Sequence, residues 1–253
     1  MMLWRALLLC LALAMPARAE QVVAGLSQAR VSITTNFAGS EILIFGAVKR
    51  TAPLPAEGGL NVVVTVAGPS VPVTVWRKAR RLGIWVNSEA VTIDAAPSFY
   101  AVATTAPLTQ ALSDTEDLRH KVSIPRAIRA VGTADEAPEA ETFTEALVRI
   151  RQKQGLYQIL PGAVSLTEQT LFRTSIALPA NLTEGDYRTR IFLTREGAVI
   201  DAYETTIGVR KVGLERWVFN LAHDNPVAYG LLALAIAVGA GWGASTVFRM
   251  LRG

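Results

Sequence analysis

Cysteine is nearly absent from this chain. The single one, Cys10, lies in an apolar run near the start. Residues 20–253 therefore hold no thiol, which excludes disulfides, thiolate nucleophiles and cysteine-based metal sites there. Histidine is almost as scarce. His120 and His223 stand far apart, no zinc-type ligand spacing occurs, and no G-x-S-x-G elbow accompanies them for a serine triad. Phosphate-binding loops and dinucleotide fingerprints are missing too. Glu116 and Asp117 adjoin, but neighbours on a helix do not face one cleft, and the acidic stretch 135–141 reads as a solvated loop. The expectation is a non-enzymatic chain with no cofactor and no metal. An unrecognised carboxylate-based hydrolase is the catalytic alternative.

Net charge is small once its sources are separated. The chain has 25 Lys and Arg against 21 Asp and Glu. Arg5, Arg18, Arg249 and Arg252 lie in the two terminal segments described next, and setting these four aside leaves 21 cations against 21 acids. A nucleic-acid surface needs a basic domain, so no nucleic-acid partner is expected.

Two apolar runs give the address. A short positive start leads into Ala6 to Met15, ten apolar residues, and then "PARA". That is the layout of a secretory signal peptide over residues 1–19, cleaved between Ala19 and Glu20. Ten helical residues rise only about 15 Å, too short to span a bilayer. Leu9 before Cys10 does not suit a lipoprotein cleavage site. The second run, Val227 to Phe248, has 22 uncharged residues, about 33 Å of helix and enough to cross. Arg249 and Arg252 follow it, and positive residues beside a span stay in the cytoplasm. Both cues predict a membrane protein with one span, residues 20–211 outside the cytoplasm and 249–253 inside it. The bilayer is then its first partner.

Between these runs the chain reads as mainly β. "RVSITT" (30–35), "EILIFGAV" (41–48), "LNVVVTVAG" (60–68), "VPVTVWRK" (71–78), "GIWVN" (83–87), "AVTID" (90–94) and "SFYAVATT" (98–105) are rich in Val, Ile, Thr and aromatics and are separated by turn residues. A helical insertion is expected over about 108–156. Ser113 with Glu116 fits a capping box, as does Thr142 with Glu145; Phe143, Leu147 and Ile150 share a helix face, and Gly155 fits the stop. Strands return at 171–179, 186–194 and 198–209. In "LTEGDY" (182–187) the spacing resembles the approach to a corner tyrosine, with the Tyr187 hydroxyl bonding back to backbone. The fold expected is an immunoglobulin-like β-sandwich with a helical insertion; two small β domains flanking the helices are the alternative. Leu214, Trp217, Val218 and Leu221 then fall at helical spacing in the juxtamembrane segment 212–226, with Trp217 a candidate interfacial anchor.

Two features are candidate binding surfaces. "RKARR" packs Arg77, Lys78, Arg80 and Arg81 between strands expected to end at Trp76 and begin at Gly83. Arginine forks match oxyanions such as sulfate or sulfite; a wet hairpin connection needs no ligand to explain it. In the span, Gly239 and Gly243 are four apart, as are Ala240 and Ala244, and small residues at that spacing let helices approach closely.

The stretch 67–108 carries Gly68-Pro69, Arg77-Lys78, "GIWVN" and "PSFYAVA". With the plan of export signal, exported domain and one C-terminal span, it resembles a family of transmembrane proteins of alphaproteobacteria. The resemblance brings no activity with it. It implies an accessory role in transport, beside a permease of the sulfite-exporter type whose genes often neighbour those of the family. Members of the family often carry Arg just before the Pro-Leu pair, where this chain has Ala106 before Pro107, which removes a cation from any anion site built on that position. A binding protein follows, either a non-catalytic partner of such a permease or a tethered receptor for a sulfite- or sulfate-like anion.

Overall fold

A computed structural model describes residues 20–34, 37–51, 58–130, 137–211 and 214–252. The expected signal peptide and part of the acidic loop lie outside the described residues. The chain divides into two compact units, residues 1–31 with 38–209, and residues 32–37 with 210–253.

The first unit is mostly β. β1 (Glu20–Leu26), β3 (Ser40–Arg50), β10 (Leu171–Leu178) and β9 (Ser165–Thr167) form a four-stranded sheet in the order β1-β3-β10-β9. Its strands alternate. Val22, Ile42, Ile44, Phe172 and Ile176 are buried, while Val23, Leu43, Phe45 and Leu171 face outward, the period of two that a sheet with one covered face requires. The six-stranded sheet runs β2-β12-β11-β4-β7-β8, from β2 (Arg30–Ile33), β12 (Ala198–Lys211), β11 (Gly185–Arg195), β4 (Leu60–Ala67), β7 (Tyr100–Thr104) and β8 (Tyr157–Pro161). Val62, Val63, Val64 and Val66 of β4 are all buried, because this sheet is covered on both faces. On one face β1 meets β11 and β10 meets β7. Strands from both sides of the insertion thus share both sheets, which rules out two separate β domains.

The other face is covered by the insertion: α1 (Leu108–Ala111), α2 (Asp114–His120), α3 (Ile124–Ala127) and α4 (Ala137–Lys153). The Thr194 hydroxyl donates to the Ala111 carbonyl at 2.6 Å, the Tyr100 hydroxyl donates to the Val122 carbonyl at 2.8 Å, and the His120 ring lies 5.2 Å from the Phe192 ring. The insertion is also the crossover between β7 and β8, which pair in parallel; parallel neighbours need a connection of a dozen or more residues.

Four local expectations are corrected. Residues 137–141 are helical, so α4 starts five residues before Thr142, which sits inside the helix and does not cap it. Ser113 does cap α2, accepting from the Glu116 amide at 3.4 Å, but the Glu116 carboxylate turns to Arg119 and His120. "RKARR" is not a connection. It belongs to β5 (Ser70–Arg81), which pairs with β6 (Ile84–Pro97) in a long two-stranded ribbon. Ser88 and Glu89, the turn residues between two expected strands, lie within β6, where the register shifts by one residue and the Ser88 hydroxyl donates to the Arg77 carbonyl at 3.1 Å. A β-bulge absorbs polar residues that would otherwise signal a turn.

The second unit holds α5 (Leu214–Asp224) and α6 (Pro226–Arg252). Pro226 opens α6 at a position where its missing N–H costs nothing. Pro226–Thr246 is long and apolar enough to cross a membrane, and none of it is buried.

Candidate functional site

Backbone chemistry builds the ribbon tip. Arg81 and Ile84 pair across a two-residue turn, Leu82-Gly83, with φ of 51° and 86°. Positive φ at both central residues marks the turn type that matches strand twist, and Asn-Gly is its usual filling. Here a leucine occupies the first position, fully exposed.

The register decides what the four cations can do together. Residues alternate along β5, so Arg77 and Arg81 share one face and Lys78 and Arg80 the other. Arg77 is already engaged. It pairs with Glu89 at 2.7 Å, and its guanidinium lies 4.8 Å from the Phe143 ring of α4. Arg80 reaches only the Gly83 carbonyl, at 3.4 Å. Among the described residues Lys78, Arg80 and Arg81 form no ion pair. The register thus sets the four cations on two faces of the ribbon, two to each face.

A different set of cations does converge. A cavity of about 330 Å³ opens among Arg119, His120 and Lys121 at the end of α2, Arg188 and Arg190 of β11, and Tyr100 of β7. Arg190 donates to the His120 carbonyl at 2.6 Å and the Lys121 carbonyl at 3.2 Å, so it satisfies the end of α2. Burial pushes the Tyr100 hydroxyl up, against the pull of the Arg190 charge, so it stays a neutral donor. Arg119 and His120 flank Glu116. Among the described residues Lys121 and Arg188 form no ion pair. Sequence reading missed this cluster because Arg119 and Arg188 are 69 positions apart; no local pattern joins them.

Two apolar surfaces complete the inventory. On the outer face of the four-stranded sheet, Val23, Phe45 and Leu171 border an open groove of about 810 Å³. In the second unit, a Cβ added at Gly239 or Gly243 of α6 would meet nothing within 4 Å, and Ala240 and Ala244 are exposed. Trp217 is also exposed, on α5.

Residues 21–250 match the family described as "Putative transmembrane protein (Alph_Pro_TM)". The chain belongs to this family. Its single C-terminal apolar helix and its membership make it a membrane-anchored protein. The residues that carried the resemblance have physical reasons in the fold. At Gly68 a Cβ would fall 2.6 Å from the Ser98 hydroxyl oxygen and 3.0 Å from the Tyr187 ring, so only glycine fits where the chain leaves β4 for the ribbon. The Ser98 amide bonds the Pro69 carbonyl at 2.8 Å, and the Tyr187 hydroxyl donates to the Thr183 carbonyl at 2.8 Å. Trp85 of "GIWVN", by contrast, stands in solvent on the ribbon. No curated protein matches the chain. Among solved structures, Spo0M, a sporulation control protein from Bacillus subtilis, aligns at 11% identity and a TM-score of 0.28, over 81% of this chain and 55% of its own. The chain spans about half the length of that protein, and the likeness carries neither fold nor function.

Proposed function

We propose that this family member is a non-catalytic accessory protein of an inner-membrane permease or other envelope complex, with its β domain in the periplasm and the residues after its span in the cytoplasm. The carrying observation is the outward face of the four-stranded sheet, where Val23, Leu43, Phe45 and Leu171 are exposed on a chain that is itself membrane-anchored. Apolar surface grouped this way marks a contact site. The small-residue face of α6 adds a second contact within the bilayer, where close backbone approach drives helix association. A permease of the sulfite-exporter type is the partner the family resemblance favours.

The test is crosslinking in intact cells, purification through a C-terminal tag in mild detergent, and identification of what accompanies the protein. The expected result is a permease in near-equal amount, lost when Gly239→Leu and Gly243→Leu are combined. Recovery of the protein alone would overturn the accessory reading.

The basic cavity favours a second reading, a tethered receptor for a small oxyanion. Lys121 and Arg188 would then hold the anion and Tyr100 would remain beside it as a neutral hydroxyl. In this reading the ligand belongs to the cavity and not to "RKARR".

A further inference from the structure

The ribbon is unexplained by either reading. Its tip places Leu82, Ile84 and Trp85 in solvent, with Trp76 exposed farther down β5. Lys78, Arg80 and Arg81 stand among them, and from Arg77 to Ser88 there is no acid. Arg80 lies directly opposite Trp85, and Trp76, Lys78 and Arg80 alternate onto the same face of β5. Leu82 sharpens the point. A leucine held at φ 51° occupies a backbone conformation that glycine or asparagine adopts at less cost, and it buries nothing in return.

We propose that this ribbon tip is a second membrane contact, docking on the surface of a bilayer that contains anionic phospholipid. The proposal rests on the membrane-anchored reading. Tryptophan and leucine beside lysine and arginine are the composition of a membrane interface: rings and aliphatic groups enter the headgroup boundary, and long cationic side chains reach lipid phosphates. Lys78, Arg80 and Arg81 match a negative surface, and each contributes attraction worth about a fivefold change in binding. The apolar helix of the same chain would tether the domain that carries the ribbon to a bilayer, which raises the effective concentration of lipid for a weak contact. A protein partner is the competing occupant, since tryptophan and arginine are also enriched at protein interfaces, and the experiment below separates the two.

Cys10 is the only cysteine of the chain, so a Cys10→Ser background allows one spin label at a time. Labels are placed on the full chain through Leu82→Cys or Ile84→Cys at the tip and, as a control, Val238→Cys in α6. The protein is reconstituted into vesicles of phosphatidylcholine alone or mixed with phosphatidylglycerol, and collision with an aqueous nickel chelate is compared with collision with oxygen. With phosphatidylglycerol, both tip labels should lose chelate accessibility severalfold. High salt, or Lys78→Ala with Arg80→Ala and Arg81→Ala, should restore it.

Tip labels in water in both lipids, with the control label immersed, would overturn the proposal and leave anchoring intact. A control label in water would instead overturn the anchoring reading. Equal immersion in both lipids, unmoved by the triple substitution, would overturn the anionic-lipid assignment. Shielding in native membranes but not in phosphatidylglycerol vesicles would assign the tip to a protein partner.

Discussion

Glu20 begins β1 and is only 4% exposed. It meets Arg50 of β3 at 2.8 Å and Arg195 of β11 at 2.9 Å, and so ties the two sheets together at one corner. Arg50 also bonds the Thr170 hydroxyl at 3.0 Å and the Gln169 carbonyl. Burial alone would push the Glu20 carboxyl up; hydrogen bonds from Arg50 and Arg195, with their charges, outweigh it and hold the group below the ordinary value of 4.5. A lowered value in the folded state means that its stabilisation is complete above the unfolded value and is lost as pH falls through the folded one. Glu20→Gln leaves two partly buried cations without their charged partner but keeps an acceptor oxygen, a change that costs about 1–3 kcal/mol. Thermal melts of the detergent-solubilised protein should show that loss near neutral pH, and the variant should lack the part of the acid-side decline that Glu20 causes. Equal melting temperatures would mean that water already compensates both guanidiniums. Nothing in the sequence joined Glu20 to Arg195, 175 positions away. Tyr187 was legible because its partner carbonyl lies four residues back.

Local pattern also separates the elements that could be read from those that could not. α4 was visible by its apolar spacing, and Phe143 and Leu147 are buried as that spacing predicted, although Ile150 is half exposed. Its start was misread because an Ala-, Pro- and Glu-containing run resembles a loop, while proline and acids are also at home in a helix's first turn. The ribbon was misread for the converse reason. Charged residues in a row suggest a turn, yet a two-stranded ribbon wet on one face accepts them as readily as a loop does. What fixes its base is α4: Phe143 packs beside Val75 and beneath Arg77. Phe143→Ala should therefore cost about 3–5 kcal/mol. Backbone amides of 75–79 and 89–93 should lose hydrogen-exchange protection, while the amides of β4, buried between two layers, keep theirs. An unchanged pattern in the ribbon would show that the β5–β6 pairing holds without the helix.

Across the molecule, the β-rich class, the helical insertion and the apolar C-terminal helix were all legible, because each depends on composition or periodicity over many residues. Sheet order and the basic cavity were not. Both depend on which distant strands become neighbours, and β4 beside β11 brings together segments separated by the whole insertion. Membrane topology is read from a third kind of signal, the distribution of charge. The span is uncharged, with Arg249 and Arg252 just beyond it, and moving such charges across a bilayer is unfavourable. The β domain is balanced in charge and presents no such obstacle to export. Gln154, exposed at the end of α4, should then face the periplasm and Arg252 the cytoplasm. In the Cys10→Ser background, Gln154→Cys should react with a membrane-impermeant maleimide in intact spheroplasts, whereas Arg252→Cys should react only after lysis. The reverse pattern would put the β domain in the cytoplasm, and the periplasmic partner face proposed for the outer sheet would have to be abandoned. Reaction of both positions before lysis would leave α6 on one side of the membrane, lying along it instead of crossing.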